Sequence, residues 1–180
     1  EALFNVSVAD GCLYYIAKDE KIMKADMKSV YTAKVGNDVY FNVGGKLYNV
    51  LSELDCGSVL SEETVDIDAL AKVDIGYGVS SASASAMNVA NLMDGSFSPI
   101  NKSLQQTEST KNSGKILPLK NNFYVYVGGK LIPATRHEIS SLPGVDKKEF
   151  SSFLKKEKIK WKETASLEKI VVFLNNQSSN

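Results

Sequence analysis

Two short segments constrain this chain more than anything else in it. Tyr40-Phe41-Asn42-Val43-Gly44-Gly45-Lys46-Leu47 recurs as Tyr124-Val125-Tyr126-Val127-Gly128-Gly129-Lys130-Leu131, with Tyr, Val, Gly, Gly, Lys and Leu in register. Paired glycines between alternating apolar and polar runs read as a type I′ turn, because both central residues of that turn need φ > 0. Each segment is therefore an aromatic strand, a tight turn, and a return strand that starts on lysine. The stretch from Tyr15 to Lys21-Ile22 keeps the same Tyr-to-Lys spacing, with Asp19-Glu20 at the turn. The separations between copies are irregular, which excludes the fixed period of a propeller or solenoid. Duplication and convergence on a good hairpin sequence account for the likeness equally well.

The first fifty residues extend this pattern into a β-meander. Phe4-Asn5-Val6-Ser7-Val8 alternates as a half-buried strand does, and Asp10-Gly11 turns it. Cys12 to Ile16, Lys21 to Ala25, Val30 to Val35, Val39 to Val43 and Lys46 to Leu51 follow as strands, with Gly36-Asn37 as a further turn. Beyond them the reading forks. Ser61-Glu62-Glu63 places acids where a helix begins, and Val65, Ala69, Leu70 and Val73 lie at helical spacing. Residues 80–93 are rich in Ser and Ala. Ala82, Ala86, Val89, Ala90 and Met93 share one helical face, so a helix is expected there, stopped at Gly95. Residues 95–115 are polar in composition and read as a linker held either by the fold or by a neighbouring subunit.

After the second Gly-Gly hairpin the period changes. Phe150, Phe153 and Leu154 fit a helix capped by Asp146. Ile159-Lys160-Trp161-Lys162 reads as extended, and Leu167, Ile170, Val171 and Leu174 fit a second helix capped by Thr164 or Ser166. This helix-extended-loop-helix order, carried by Phe150-x-x-Phe153-Leu154, Lys158-Ile159, Leu167-x-x-Ile170 and Leu174, resembles the SAP and LEM modules. The resemblance implies a nucleic-acid or protein partner. It departs from the pattern at the usual glycine before the loop, where this chain has Glu157 or Lys158. Eight lysines fall between Lys147 and Lys169. A nucleic-acid reading places Lys155, Lys156, Lys158, Lys160 and Lys162 on phosphates and stacks Trp161 on a base. The competing reading is a solvated helix pair whose Trp161 closes a small core.

The charge balance supports both readings. The whole chain has 21 basic and 21 acidic residues, so bulk attraction to polyanions is excluded. By segment, residues 1–78 hold 7 lysines against 13 acids, a net of −6. Residues 123–180 hold 10 basic residues against 6 acids, a net of +4. Such asymmetry permits a local basic surface and head-to-tail contacts between unlike ends. Arg136 is the single arginine, which weakens bidentate recognition of phosphate or bases.

Chemistry-bearing motifs are sparse. His137 is the one imidazole, so a histidine-based site must use it, with Arg136 and Glu138 beside it. The sequence lacks G-x-S-x-G, H-E-x-x-H and the Walker A pattern, since its glycine pairs are hairpin turns. Ser152-Phe153-Leu154-Lys155 and Ser166-Leu167-Glu168-Lys169 match S-x-x-K without the K-T-G that would give it meaning. Asp66, Asp68 and Asp74 lack EF-hand spacing and read as a solvated acidic face. A carboxylate-based hydrolase leaves no local signature and stays open. Cys12 and Cys56 permit a disulfide without implying one. No cofactor or metal site is expected, no stretch of 18 apolar residues suits a membrane-spanning helix, and Glu1-Ala2-Leu3-Phe4 shows no basic run before an apolar one, so no signal peptide is visible in the sequence, which leaves its prior removal open.

The expected fold is α+β: a β-rich meander or small barrel-like body with Gly-Gly hairpins, one internal helix and a C-terminal two-helix tail. The body covers residues 1–136 with the polar excursion 95–115, and the tail covers 137–180. The leading function is a non-catalytic structural or interaction subunit of a larger assembly, such as a phage virion or bacterial surface component, with protein partners or self-association. The alternatives are a nucleic-acid accessory protein acting through the lysine-rich tail and an enzyme with a site near His137.

Overall fold

The structure, a computed structural model, describes residues 3–69 and 118–178. The internal helix read over 80–93 and the polar segment 95–115 lie outside the described residues. Contacts divide the chain into two units, residues 1–64 with 121–180 and residues 65–120. The class is α+β, rich in antiparallel strands.

In the first unit the alternation predicted for the N-terminal residues becomes a three-stranded sheet. Strands β1 (Phe4–Val6), β2 (Leu13–Ile16) and β3 (Ile22–Lys24) pair in sequence order. The six-stranded sheet also follows sequence order: β4 (Thr32–Val35), β5 (Asp38–Val43), β6 (Lys46–Leu54), β7 (Gly57–Val65), β8 (Leu119–Val127) and β9 (Lys130–Pro133). Gly44 and Gly45 have φ 63° and 88°, and Gly128 and Gly129 have 56° and 76°. Both hairpins thus use the left-handed region that their glycines allow at no steric cost. They lie in one sheet, with β7 between β6 and β8.

The helix considered over residues 58–78 does not start at Ser61-Glu62-Glu63: helical backbone begins only at residue 67, and Leu70 and Val73 lie outside the described residues. Ser61-Glu62-Glu63 lies inside β7, where Asn49 pairs with Ser61 across β6. Pairing on both sides outweighs a local preference for acids at a helix start, a routine tertiary override of propensity. A bulge between Val50 and Ser52 shifts the β6–β7 register by one residue.

Three helices follow among the described residues: α1 (Arg136–Ser140), α2 (Lys147–Glu157) and α3 (Thr164–Ser178). The Asp146 cap holds as predicted, its Oδ1 accepting from the amides of Lys148 and Glu149 at 2.8 Å each. At the other end of α2, Lys158 takes φ 50° and ψ 50°, and its amide donates to the Leu154 carbonyl. The left-handed C-cap is present where the resembling modules carry glycine, here on a lysine. Residue 164 opens α3 rather than capping it: the amides of Ser166 and Leu167 donate to the Glu163 carbonyl.

Side chains alternate across each strand, so the large sheet has two distinct faces. On one, Val59, Val125, Val127 and Ile132 meet Ile139, Phe150, Leu167, Ile170 and Val171 in a single core. Phe153 stacks on Phe173 with ring centres 4.6 Å apart, and Trp161 packs at the edge of this core, half-buried. On the other face Phe41 meets Tyr126 and Tyr48 meets Tyr124, both edge to face.

Candidate functional site

Hairpin register decides what the three-stranded sheet shows to solvent. Ile16 lies opposite Ile22, and the Ile16 amide donates to the Leu3 carbonyl at 2.9 Å. Leu3, Ile16 and Ile22 therefore form a row across the sheet on one face. They are 74%, 44% and 74% exposed. Phe4, Tyr15 and Met23 form the next row on the opposite face. Phe4 and Leu13 line an open groove of about 490 Å³ with residues 29–34, so this second face looks toward β4. All three residues of β3 are exposed. Apolar side chains gathered on an exposed sheet with an open edge are the usual mark of a protein interface.

Asp10 fixes the frame of this sheet. Its carboxylate accepts from the Cys12 amide at 3.2 Å, the Tyr14 hydroxyl at 2.9 Å and the Lys24 ammonium at 3.0 Å. Burial works against ionisation here, but the bonds from Lys24 and Tyr14 outweigh it and hold the carboxyl well below the ordinary range.

The second polar centre is Glu62, on the aromatic face of the large sheet. Lys46 meets its Oε1 at 2.6 Å and the Tyr124 hydroxyl donates to Oε2 at 2.9 Å. Its side chain is 10% exposed. Burial first, and then the bond to Glu62, push the Tyr124 phenol far up. Both carboxylate oxygens are thus occupied, and the group clamps β6, β7 and β8 rather than offering a free base. Among the described residues every buried side-chain nitrogen or oxygen has a hydrogen-bond partner.

The residues singled out for polyanion contact fall into three settings. Lys155 and Lys156 sit exposed on the last turn of α2, with Lys158 exposed at its cap and Lys162 exposed in the loop after it. Lys160 is tied to Glu163 at 2.7 Å. Trp161 is committed in part to the core. The structure adds Lys147 and Lys148, whose helical spacing to Ser151, Ser152 and Lys155 is the signal that would have found them.

The remaining sequence candidates are placed as follows. His137 is exposed on α1, and its carbonyl accepts from the hydroxyls of Ser140 and Ser141. The described ion pairs do not include it. The Ser152 hydroxyl donates to the Lys148 carbonyl instead of engaging Lys155. Asp66 accepts from the Ala69 amide, as a residue capping the helical backbone that starts at 67 does, and Asp74 lies outside the described residues. Cys12 and Cys56 are both free thiols. Among the described residues no group of three or more His, Cys, Asp or Glu is placed to hold a metal, and no helix is long and apolar enough to cross a membrane.

Comparison with protein-family models, with curated proteins and with solved structures finds no match to this chain. The reading of function rests on the residues themselves.

Proposed function

We propose that this chain is a non-catalytic interaction subunit. It assembles through the three-stranded sheet, and another copy of the same chain is its first neighbour. The observation that carries the reading is the row Leu3, Ile16 and Ile22 across three strands, two of its members about three-quarters exposed. Full burial of each such side chain contributes about 1.5–3 kcal/mol, so leaving the row in water forgoes several kcal/mol. The polar centres support the same reading. Asp10 spends its oxygens on partners in β2 and β3, which stiffens the sheet that would carry the interface, and Glu62 is used up inside the large sheet rather than left as a free base.

The test is the mass of the protein in solution against concentration, for the natural chain and for Ile16→Lys with Ile22→Lys. Assembly of the first and dissociation of the second are expected. A natural chain that stays monomeric at high micromolar concentration defeats the reading.

A further inference from the structure

The solvent face of α2 carries a second, chemically different surface. Phe150, Phe153 and Leu154 turn this helix inward. At 3.6 residues per turn the opposite face consists of Lys148, Ser151, Ser152 and Lys155, flanked by Lys147, Lys156 and one exposed acid, Glu149, so four lysines stand against a single carboxylate. Arg136, from α1, reaches the same face, its Nη2 donating to the Ser151 hydroxyl at 3.4 Å. Lys158 extends the face past the helix end.

Among the described residues these cations lack ion-pair partners, unlike two others nearby. Lys160 is neutralised by Glu163, and Lys169 by Glu157. Arg136, Lys147, Lys148, Lys155, Lys156 and Lys158 have no ion pair among the described residues. A cluster of like charges on one face raises its own energy and is relieved by a polyanion. The face also has no exposed large apolar side chain. Protein interfaces are poor in lysine and carry an apolar or aromatic centre, whereas phosphate backbones are met by lysine, arginine and serine.

The geometry points to a nucleic-acid phosphate backbone as the partner of this face, and we propose that the chain binds duplex nucleic acid there without reading its sequence. Lysines act as point charges on phosphates, and the single arginine is engaged with Ser151 rather than presented for bidentate contact to a base. Trp161 is half-buried against the core edge, so no stacking on bases is assigned to it. The surface is separate from the apolar row of the three-stranded sheet. Its failure therefore leaves the assembly reading standing, and the reverse holds too.

The probe is short fluorescein-labelled duplex DNA of arbitrary sequence, followed by anisotropy. With about four phosphate contacts, affinity should fall on the order of 100-fold between about 50 and 200 mM salt. Lys147→Glu with Lys148→Glu should weaken binding at least about tenfold and lower the salt slope by about two. Acids in the first turn favour a helix, so this pair keeps α2 folded. Lys18→Glu with Lys28→Glu, an equal charge change on exposed lysines elsewhere, should leave most of the affinity, and Trp161→Phe should leave it unchanged. The proposal is overturned if the duplex does not bind at low salt. It is overturned equally if both charge-reversed pairs lose the same affinity, or if polyglutamate binds this face while the duplex does not.

Discussion

Asp10 and Lys158 show how single residues carry the fold. Asp10 joins a turn, the middle strand and an edge strand of the small sheet through three hydrogen bonds. Its folded pKa is depressed, so its stabilisation is complete above the ordinary carboxyl value of 3.8 and drains away as pH falls through and below it. The expected outcome is that Asp10→Asn lowers the urea midpoint at neutral pH and reduces its further fall at about pH 3. Equal falls in variant and natural chain would contradict this. Lys158 carries the opposite sign. It holds φ 50°, a conformation costly for any residue with a Cβ. Lys158→Gly should stabilise the chain by about 0.5–1 kcal/mol, net of the extra freedom glycine has when unfolded, and Lys158→Ala should give no such gain. The departure from the resembling modules is thus a difference of residue, not of backbone. The sequence pattern located the position and left its conformation open, because capping geometry depends on how the loop packs.

At the scale of elements, the hairpins were the most legible part. Paired glycines and two-residue alternation set turn type and register together, so β2 to β6 lie close to where the spacing placed them. Strand β7 was not legible. Its Ser61-Glu62-Glu63 looks like a helix start until Lys46 and Tyr124 arrive from other strands to take up Glu62. Those contacts are separated by 16 and 62 residues, beyond any local pattern. Glu62→Gln should cost about 1–3 kcal/mol, because it replaces a mostly buried carboxylate whose two oxygens take up Lys46 and Tyr124. A thermal midpoint equal to that of the natural chain would refute the clamp. Gly57 is the other dependence of β7. It has φ 155°, and a Cβ there would run into the Tyr126 carbonyl and press on Val171 and Val127. Gly57→Ala should destabilise by about 2–3 kcal/mol, seen as a lower denaturation midpoint. The helical tail was legible in its Asp146 cap and its apolar spacing, though not in the cap of α3, which falls to Glu163. Its docking onto β7, β8 and β9 was not, since nothing local to Phe150 or Leu167 names the valines that they bury against.

Over the whole molecule, net neutrality gives way to surfaces of different character. The small sheet presents an apolar row, α2 presents unpaired lysines, and the aromatic face of the large sheet locks its one buried carboxylate internally. The excess of acids in residues 1–78 and of bases in 123–180 was readable from the sequence. Which charges remain free was not, because pairs such as Lys169 with Glu157 form only after the two helices pack. The apolar row was hidden for a similar reason. Leu3, just before β1, and Ile16 and Ile22, in β2 and β3, are ordinary apolar residues until the register aligns them with no described residue covering them. That row is the proposed interface. Sedimentation velocity over a range of protein concentrations, on the natural chain beside Ile16→Lys with Ile22→Lys, tests it most directly. The natural chain should shift to larger species as concentration rises while the double variant stays monomeric and folded. A natural chain that sediments as a monomer throughout, or a double variant that assembles equally well, would contradict it.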